Sequence, residues 1–236
     1  MSDVDLSKRA LFRQACCGAA GLASMAFTPP ALSATGNKTD LTPDQALEVL
    51  RKGNREFISD SPIRQALGRE RRLEIARGQT PFAVLVSCSD SRVPPELLFG
   101  RGLGELFIVR NAGNTVDTTA LGSLQYGVAV LGCPLVVVLG HERCGAVEAA
   151  VSVVTKNTTF PGSIGNMIEP IVPAVLRAQT QSGDLMHNAV RENVRRVVNR
   201  LRTSEPILLE PIQSGKLKIV GAHYDLDDGQ VDFFDV

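Results

Sequence analysis

The stretch FAVLVSCSDSR, residues 82–92, decides how this chain is read. Phe82 to Val86 is a continuous apolar run, the pattern of a strand buried on both faces. Behind it a thiol, a carboxylate and a guanidinium fall at alternate positions, Cys88, Asp90 and Arg92. Residues two apart in an extended segment share a face, so these three side chains converge at the strand's carboxyl end. LFIVRN (106–111) and PLVVVLG (134–140) are two further buried runs, and KLKIVGAHYDL (216–226) is a fourth. GQVDFFD (229–235) is a fifth, joined to the fourth by the Asp227-Asp228-Gly229 turn.

Helical patterns lie between the strands. Asp117 can cap a helix whose stripe is Ala120, Leu121, Leu124, Val128 and Leu131, with Gly132 ending it. Another begins at GAVEAAVSVV (145–154), and residues 163–210 read as helical, broken by prolines and by Gly183. Strands alternating with helices predict an α/β fold with a mostly parallel central sheet of four to five strands flanked by helices. In such sheets ligands sit beyond the carboxyl ends of the strands.

Upstream, residues 41–78 predict an N-terminal helical arm. Thr42 is a good N-cap, Pro43 suits the first helical position and Gln45 completes a capping box. A second helix is expected from about Arg64 to Arg77, stopped by Gly78. Residues 1–34 differ from the rest. Lys8, Arg9 and Arg13 precede a short apolar segment from Ala15 to Phe27, then Pro29, Pro30 and the small residues 31–34. That order predicts an export signal, similar to the twin-arginine type, with residues 35–236 as a single domain. The apolar part is too short for a comfortable membrane span. A periplasmic or otherwise exported location follows, with a cytoplasmic protein carrying a helical tail as the alternative.

Lysine and arginine total 25 and aspartate and glutamate total 25, so no global field favours nucleic acid. Tryptophan is absent, which argues against aromatic stacking platforms. Cys16 and Cys17 lie in the signal. Cys88, Cys133 and Cys144 remain, an odd set that makes a fully paired disulfide framework a poor reading. Cys133 precedes Pro134 at a strand start, at the opposite end of the sheet from Cys88, and reads as an inert small hydrophobe.

GHERCG (140–145) stands at another strand end and places His141 three residues before Cys144. Two thiolates and one imidazole suit tetrahedral zinc, and three protein ligands leave a fourth position open, as in catalytic sites. Plain core packing of the two cysteines is the competing reading. A cysteine-phosphatase reading fails because the spacing to Arg92 is three rather than five and Asp90 would repel phosphate. GRGLGEL (100–106) lacks a dinucleotide-binding fingerprint.

CSDSR with HERCG resembles the β-class carbonic anhydrases. The likeness runs from about Leu41 to Val236 and takes in RKGNREF (51–57) and VRNAGN (109–114). The resemblance implies one zinc per subunit on Cys88, His141 and Cys144. It implies that Asp90 and Arg92 are catalytic, with Asp90 a conditional fourth ligand once Arg92 releases it. Gln79, Phe107, Tyr126 and Gly145 match substrate-pocket positions, and Ala112 stands where a plant-type member has valine. The implied reaction is reversible hydration of CO2 to bicarbonate and a proton by a zinc-bound hydroxide. Hydrolysis of CS2 or COS on the same site, or a non-catalytic zinc staple, are the alternatives. Implied partners are CO2 or bicarbonate, no nucleic acid, no membrane after signal removal, and further copies of the chain as a homodimer or dimer of dimers. Pocket residues then come from both subunits. Read from the residues alone, Phe107, Tyr126 and Gln79 suit ordinary packing or surface roles, and so do His187 and His223.

Overall fold

The apolar run forms strand β1 (Ala83–Ser87), and all five of its residues are buried. The structure, a computed structural model, describes residues 38–61 and 66–234. The expected export signal lies outside the described residues. β1 is flanked in parallel by β2 (Leu106–Arg110) and β3 (Leu135–His141). β4 (Lys218–Tyr224) runs parallel to β3, and β5 (Val231–Phe234) closes the edge antiparallel to β4. The order is β2-β1-β3-β4-β5, the mostly parallel sheet that the sequence predicts.

Register decides where the chemistry sits. Ser87 pairs with Leu139 and Gly140 pairs with His223. Neighbouring strands lie about 4.8 Å apart. Cys88, the next residue after β1, therefore emerges beside the end of β3, where His141 stands.

Alternation along the strands divides the core into two layers. Val84, Val86, Val136, Val138 and Ile219 face α4 (Thr118–Ala129), α8 (Leu185–Thr203) and α9 (Pro206–Gln213). Leu85, Leu135, Val137 and Leu139 face α1 (Pro43–Ile58) and α3 (Pro95–Leu98). The capping box at Thr42 and Gln45 starts α1 as expected, and Ala46, Leu47 and Leu50 are its buried face. Gly53 allows α1 to reach α3. A Cβ there would lie 1.9 Å from the Phe99 carbonyl oxygen. A third apolar cluster joins α5 (Gly145–Lys156), α6 (Gly162–Ile168) and α7 (Val172–Ala178) around Cys88 and Cys144.

The second arm helix, α2 (Arg69–Ile75), is shorter than the Arg64–Arg77 expected, and residues 62–65 lie outside the described set. α2 buries none of its residues and its N-cap, Gly68, offers no side-chain bond. A helix of that length has little besides tertiary packing to extend it, and within its own chain this one rests only Arg71 and Ile75 against residues 103–104.

β4 carries His223, which is 6% exposed and sits edge-on to His187 with ring centroids 5.0 Å apart. Burial, helped by the nearby His187 and Arg191 charges, pushes the His223 imidazole down to about 4, against the pull of Asp225 and Asp232. Between pH 6.5 and about 4 the unfolded chain binds a proton that the folded chain refuses. Stability therefore falls as pH drops through that window, by on the order of 3 kcal/mol in all. His223→Phe should flatten that slope in urea titrations across the window. An unchanged slope would assign the acid sensitivity to other groups.

Candidate metal centre

Three ligand-type atoms meet at the carboxyl edge of β1 and β3. The Cys88, His141 and Cys144 ligand atoms all lie within 4.8 Å of one another, and all three residues are buried. The two sulfurs are 3.9 Å apart. Tetrahedral bonds of about 2.3 Å from one zinc ion would set them roughly 3.8 Å apart. The fit needs almost no movement.

The imidazole is prepared for the same task. His141 is fully buried, and its Nδ1 lies 2.8 Å from the Glu142 carbonyl oxygen. A carbonyl only accepts, so Nδ1 carries the proton and Nε2 presents a lone pair. Among the described residues that Nε2 has no hydrogen-bond partner. A buried polar atom without a partner is expensive. A cation shared with the two sulfurs would satisfy it.

The thiols are poised to lose protons unequally. The Cys88 thiol is pulled down to about 4, chiefly by its hydrogen bond with Cys144, with help from His141 and the Gly113 N–H. The bond to Cys88 and burial push Cys144 up. One negative charge forms readily and a second beside it is opposed. A dication removes that opposition, because metal binding deprotonates a ligating thiol.

Local conformation brings the parts together. β3 ends on His141, and Arg143 adopts φ +49°, turning the chain so that Cys144 precedes α5. Left-handed backbone at a non-glycine residue is strained and needs outside support. The Arg143 guanidinium donates to both Asp227 carboxylate oxygens, at 2.7 and 3.0 Å, and Glu142 N–H donates to the Tyr224 carbonyl. The hairpin between β4 and β5 thus anchors the turn.

Asp90 and Arg92 form the bidentate pair that their spacing permits. Arg92 donates from Nε to Oδ1 at 2.9 Å and from Nη2 to Oδ2 at 2.7 Å, and its backbone N–H also reaches Oδ1. These bonds hold the Asp90 carboxyl well below the usual carboxylate range. Asp90 Oδ2 stands 3.9 Å from His141 Nε2, beside the ligand triangle. Arg92 Nη2 also reaches the Arg143 carbonyl at 3.4 Å, so one guanidinium spans both ligand loops.

The expected pocket residues divide. Gly145 opens α5 next to Cys144, and a Cβ there would meet nothing within 4 Å. Gln79 and Tyr126 line a separate groove with Ile75, Ala76, Arg77 and Leu131. Phe107 packs on Tyr126, with centroids 6.1 Å apart. Gln79 precedes β1 and Cys88 follows it, so roughly 16 Å of strand separates them. Within one chain these three residues do not meet the metal triangle. Tyr126 is 42% exposed rather than sunk in the core, because Gly127 lets α4 settle onto Val84 and Phe107 beside it. Cys133 is buried at the far end of the sheet, its thiol donating to the Pro81 carbonyl and pushed up to about 12 by burial. That matches its reading as inert.

Sequence reasoning assigned no role to two supports. Arg110 donates to the Cys88 and Asp90 carbonyls, at 2.9 and 2.6 Å, and holds the ligand loop from β2. Gly113 N–H donates to Cys88 Sγ at 3.2 Å. Both lie in VRNAGN, whose clustered polar residues at the end of an apolar run were the available signal; that run, expected to be buried, is the half-buried edge strand β2, with only Val109 buried.

Comparison with known proteins shows the family and the fold. A family model described as carbonic anhydrase matches residues 83–231. Carbonic anhydrase 2 of Mycobacterium tuberculosis is 38% identical over 188 residues, covering 80% of this chain and 91% of that protein. Among solved structures, a β-carbonic anhydrase of Coccomyxa in complex with acetazolamide is 27% identical with a TM-score of 0.61, over 79% of this chain and 83% of that one. The β-carbonic anhydrase CcaA is 26% identical with a TM-score of 0.64, over 81% and 94%.

Proposed function

This chain belongs to the β-class carbonic anhydrases, and from that premise we propose that it hydrates CO2 reversibly at a single zinc ion held by Cys88, His141 and Cys144. The observation that carries the metal is the partnerless Nε2 of buried His141, facing two sulfurs 3.9 Å apart. Bound there, zinc would lower the pKa of a water in its fourth position to about 7 and so supply hydroxide near neutral pH.

The chain's own residues do the rest. Asp90, ionised and acceptor-only, takes a hydrogen bond from the attacking oxygen and aims its lone pair at the carbon of CO2. Arg92 holds that carboxylate in a fixed plane and off the metal. The balance is CO2 and water in, bicarbonate and a proton out. A non-catalytic zinc staple would leave the Asp90–Arg92 pair without a purpose. Turnover of CO2, COS and CS2, measured side by side, tests the substrate; faster COS or CS2 turnover would overturn this choice.

The active unit is a homodimer in which Gln79, Phe107 and Tyr126 of one copy complete the pocket of the other. Their distance from the metal triangle within one chain supports this, as do the exposed Leu73 (59%), Leu103 (37%) and Tyr126 (42%) around α2. Leu73→Arg should leave the monomer folded, break the dimer in light scattering and lower kcat/KM at least about tenfold, the range seen when positioning is lost. A monomeric variant with full activity would contradict the shared pocket.

The basic, apolar and small-residue order of residues 1–34 supports export and cleavage near Ser33 or Ala34. N-terminal sequencing of the protein from fractionated cells tests it, and an intact terminus in the cytoplasm would refute it. Among the described residues no helix is long and apolar enough to cross a membrane.

A further inference from the structure

Helix α8 packs Ala189 and Val190 in the apolar cluster around Cys88 and Cys144, and it also reaches the metal triangle through one amide. Asn193 lies on its buried stripe and is 3% exposed. Its Nδ2 donates to the Gly113 carbonyl at 2.8 Å, across 80 residues of sequence. The same glycine donates its N–H to Cys88 Sγ at 3.2 Å. Gly113 therefore uses both of its peptide groups, one toward the sulfur and one toward α8.

Only a glycine fits at this turn. Gly113 has φ +69°, and a Cβ there would lie 2.7 Å from Ile171 Cδ1 and 3.0 Å from Ala146 Cβ. Asn114 N–H closes the turn on the Asn111 carbonyl, and Asn111 N–H donates to the Ser87 carbonyl at the end of β1. On the α8 side its hydrogen bond is the one from Asn193. A buried carbonyl that lost this donor would turn to find another, and the N–H across the same residue would turn with it.

We propose that Asn193 is a positioning residue for the metal centre: its side-chain amide fixes the Gly113 turn so that the Gly113 N–H stays on the Cys88 sulfur. The hydrogen bond to sulfur draws charge from the thiolate. That limits how much the ligand donates to the metal and leaves the ion a stronger Lewis acid. The inference rests on the proposal of a metal on Cys88, and partners of this kind typically change metal affinity by about 10–100-fold.

The test uses the full chain loaded with cobalt(II), whose sulfur-to-metal charge-transfer band reports thiolate donation directly. Asn193→Leu keeps the volume nearly unchanged and loses the donor; Asn193→Ala loses both. Both should move the band to lower energy and change zinc affinity in chelator competition by about 10–100-fold. Val194→Ala, a fully buried core position one residue along α8, lowers stability and should move neither. A folded Asn193→Leu with wild-type band and affinity overturns the inference, and so does an equal shift in Val194→Ala. A wild-type protein that takes up no metal overturns the metal proposal itself. Where the Asn193 variants do not fold, wild-type protein loaded with cadmium-113 decides. Scalar coupling from the metal to the Gly113 amide proton, with slowly exchanging Asn193 Nδ2 protons, supports the inference, and the absence of either overturns it.

Discussion

His141→Ala leaves the purified protein without zinc and lowers CO2 hydration at least about a thousandfold, since the activated water goes with the metal. Two sulfurs alone do not complete a tetrahedral site. They also sit so close that their second ionisation is opposed unless a dication is present. Removing the imidazole therefore disturbs the remaining ligands as well as deleting one. Metal analysis after dialysis and stopped-flow hydration on the same sample check both halves. Cys144→Ser should behave alike. Full hydration by a folded, zinc-free variant would end the metal account.

Arg92→Ala is expected to cut kcat about 10–100-fold at pH 7, the range for partners that orient a metal site, with the deficit narrowing toward pH 9. Arg92 supplies three hydrogen bonds to Asp90. Alanine removes the two guanidinium bonds and keeps the backbone one, so the carboxyl moves back toward its ordinary value near 3.9, still ionised throughout that range. Titration of Asp90 therefore does not cause the pH dependence. The freed carboxylate, already 3.9 Å from His141 Nε2, would be able to compete with water for a bound metal at pH 7, and less so as hydroxide rises. Arg92→Lys keeps the charge but cannot hold both oxygens in a fork, so it should fall between the two. Activity unchanged from pH 7 to 9 in Arg92→Ala would mean that the pair is not needed for turnover.

Much of this was legible in the chain itself. The runs 82–86, 106–111 and 134–140 became parallel strands because each is apolar on both faces, which suits a sheet covered by helices on both sides. Cys88, Asp90, Arg92, His141 and Cys144 were readable because they stand directly at strand ends, where spacing translates into space. The supports were not. Arg110 reaches backbone carbonyls, and backbone acceptors leave no mark in a sequence. Asn193 shows only as one polar residue on an apolar stripe between Val190 and Val197, and its partner lies 80 residues away. The end of α2 was misjudged because its residues bury nothing within their own chain. Gln79, Phe107 and Tyr126 lie apart from the triangle, an outcome that one chain's spacing cannot express if a second copy supplies them.

X-ray absorption at the zinc edge of the purified protein tests the central claim most directly. Two sulfur scatterers at about 2.3 Å and two lighter ones at about 2.0–2.1 Å, one of them imidazole, are the expected shell. A shell without sulfur, or one closed by four protein ligands at pH 8 in active enzyme, would contradict it.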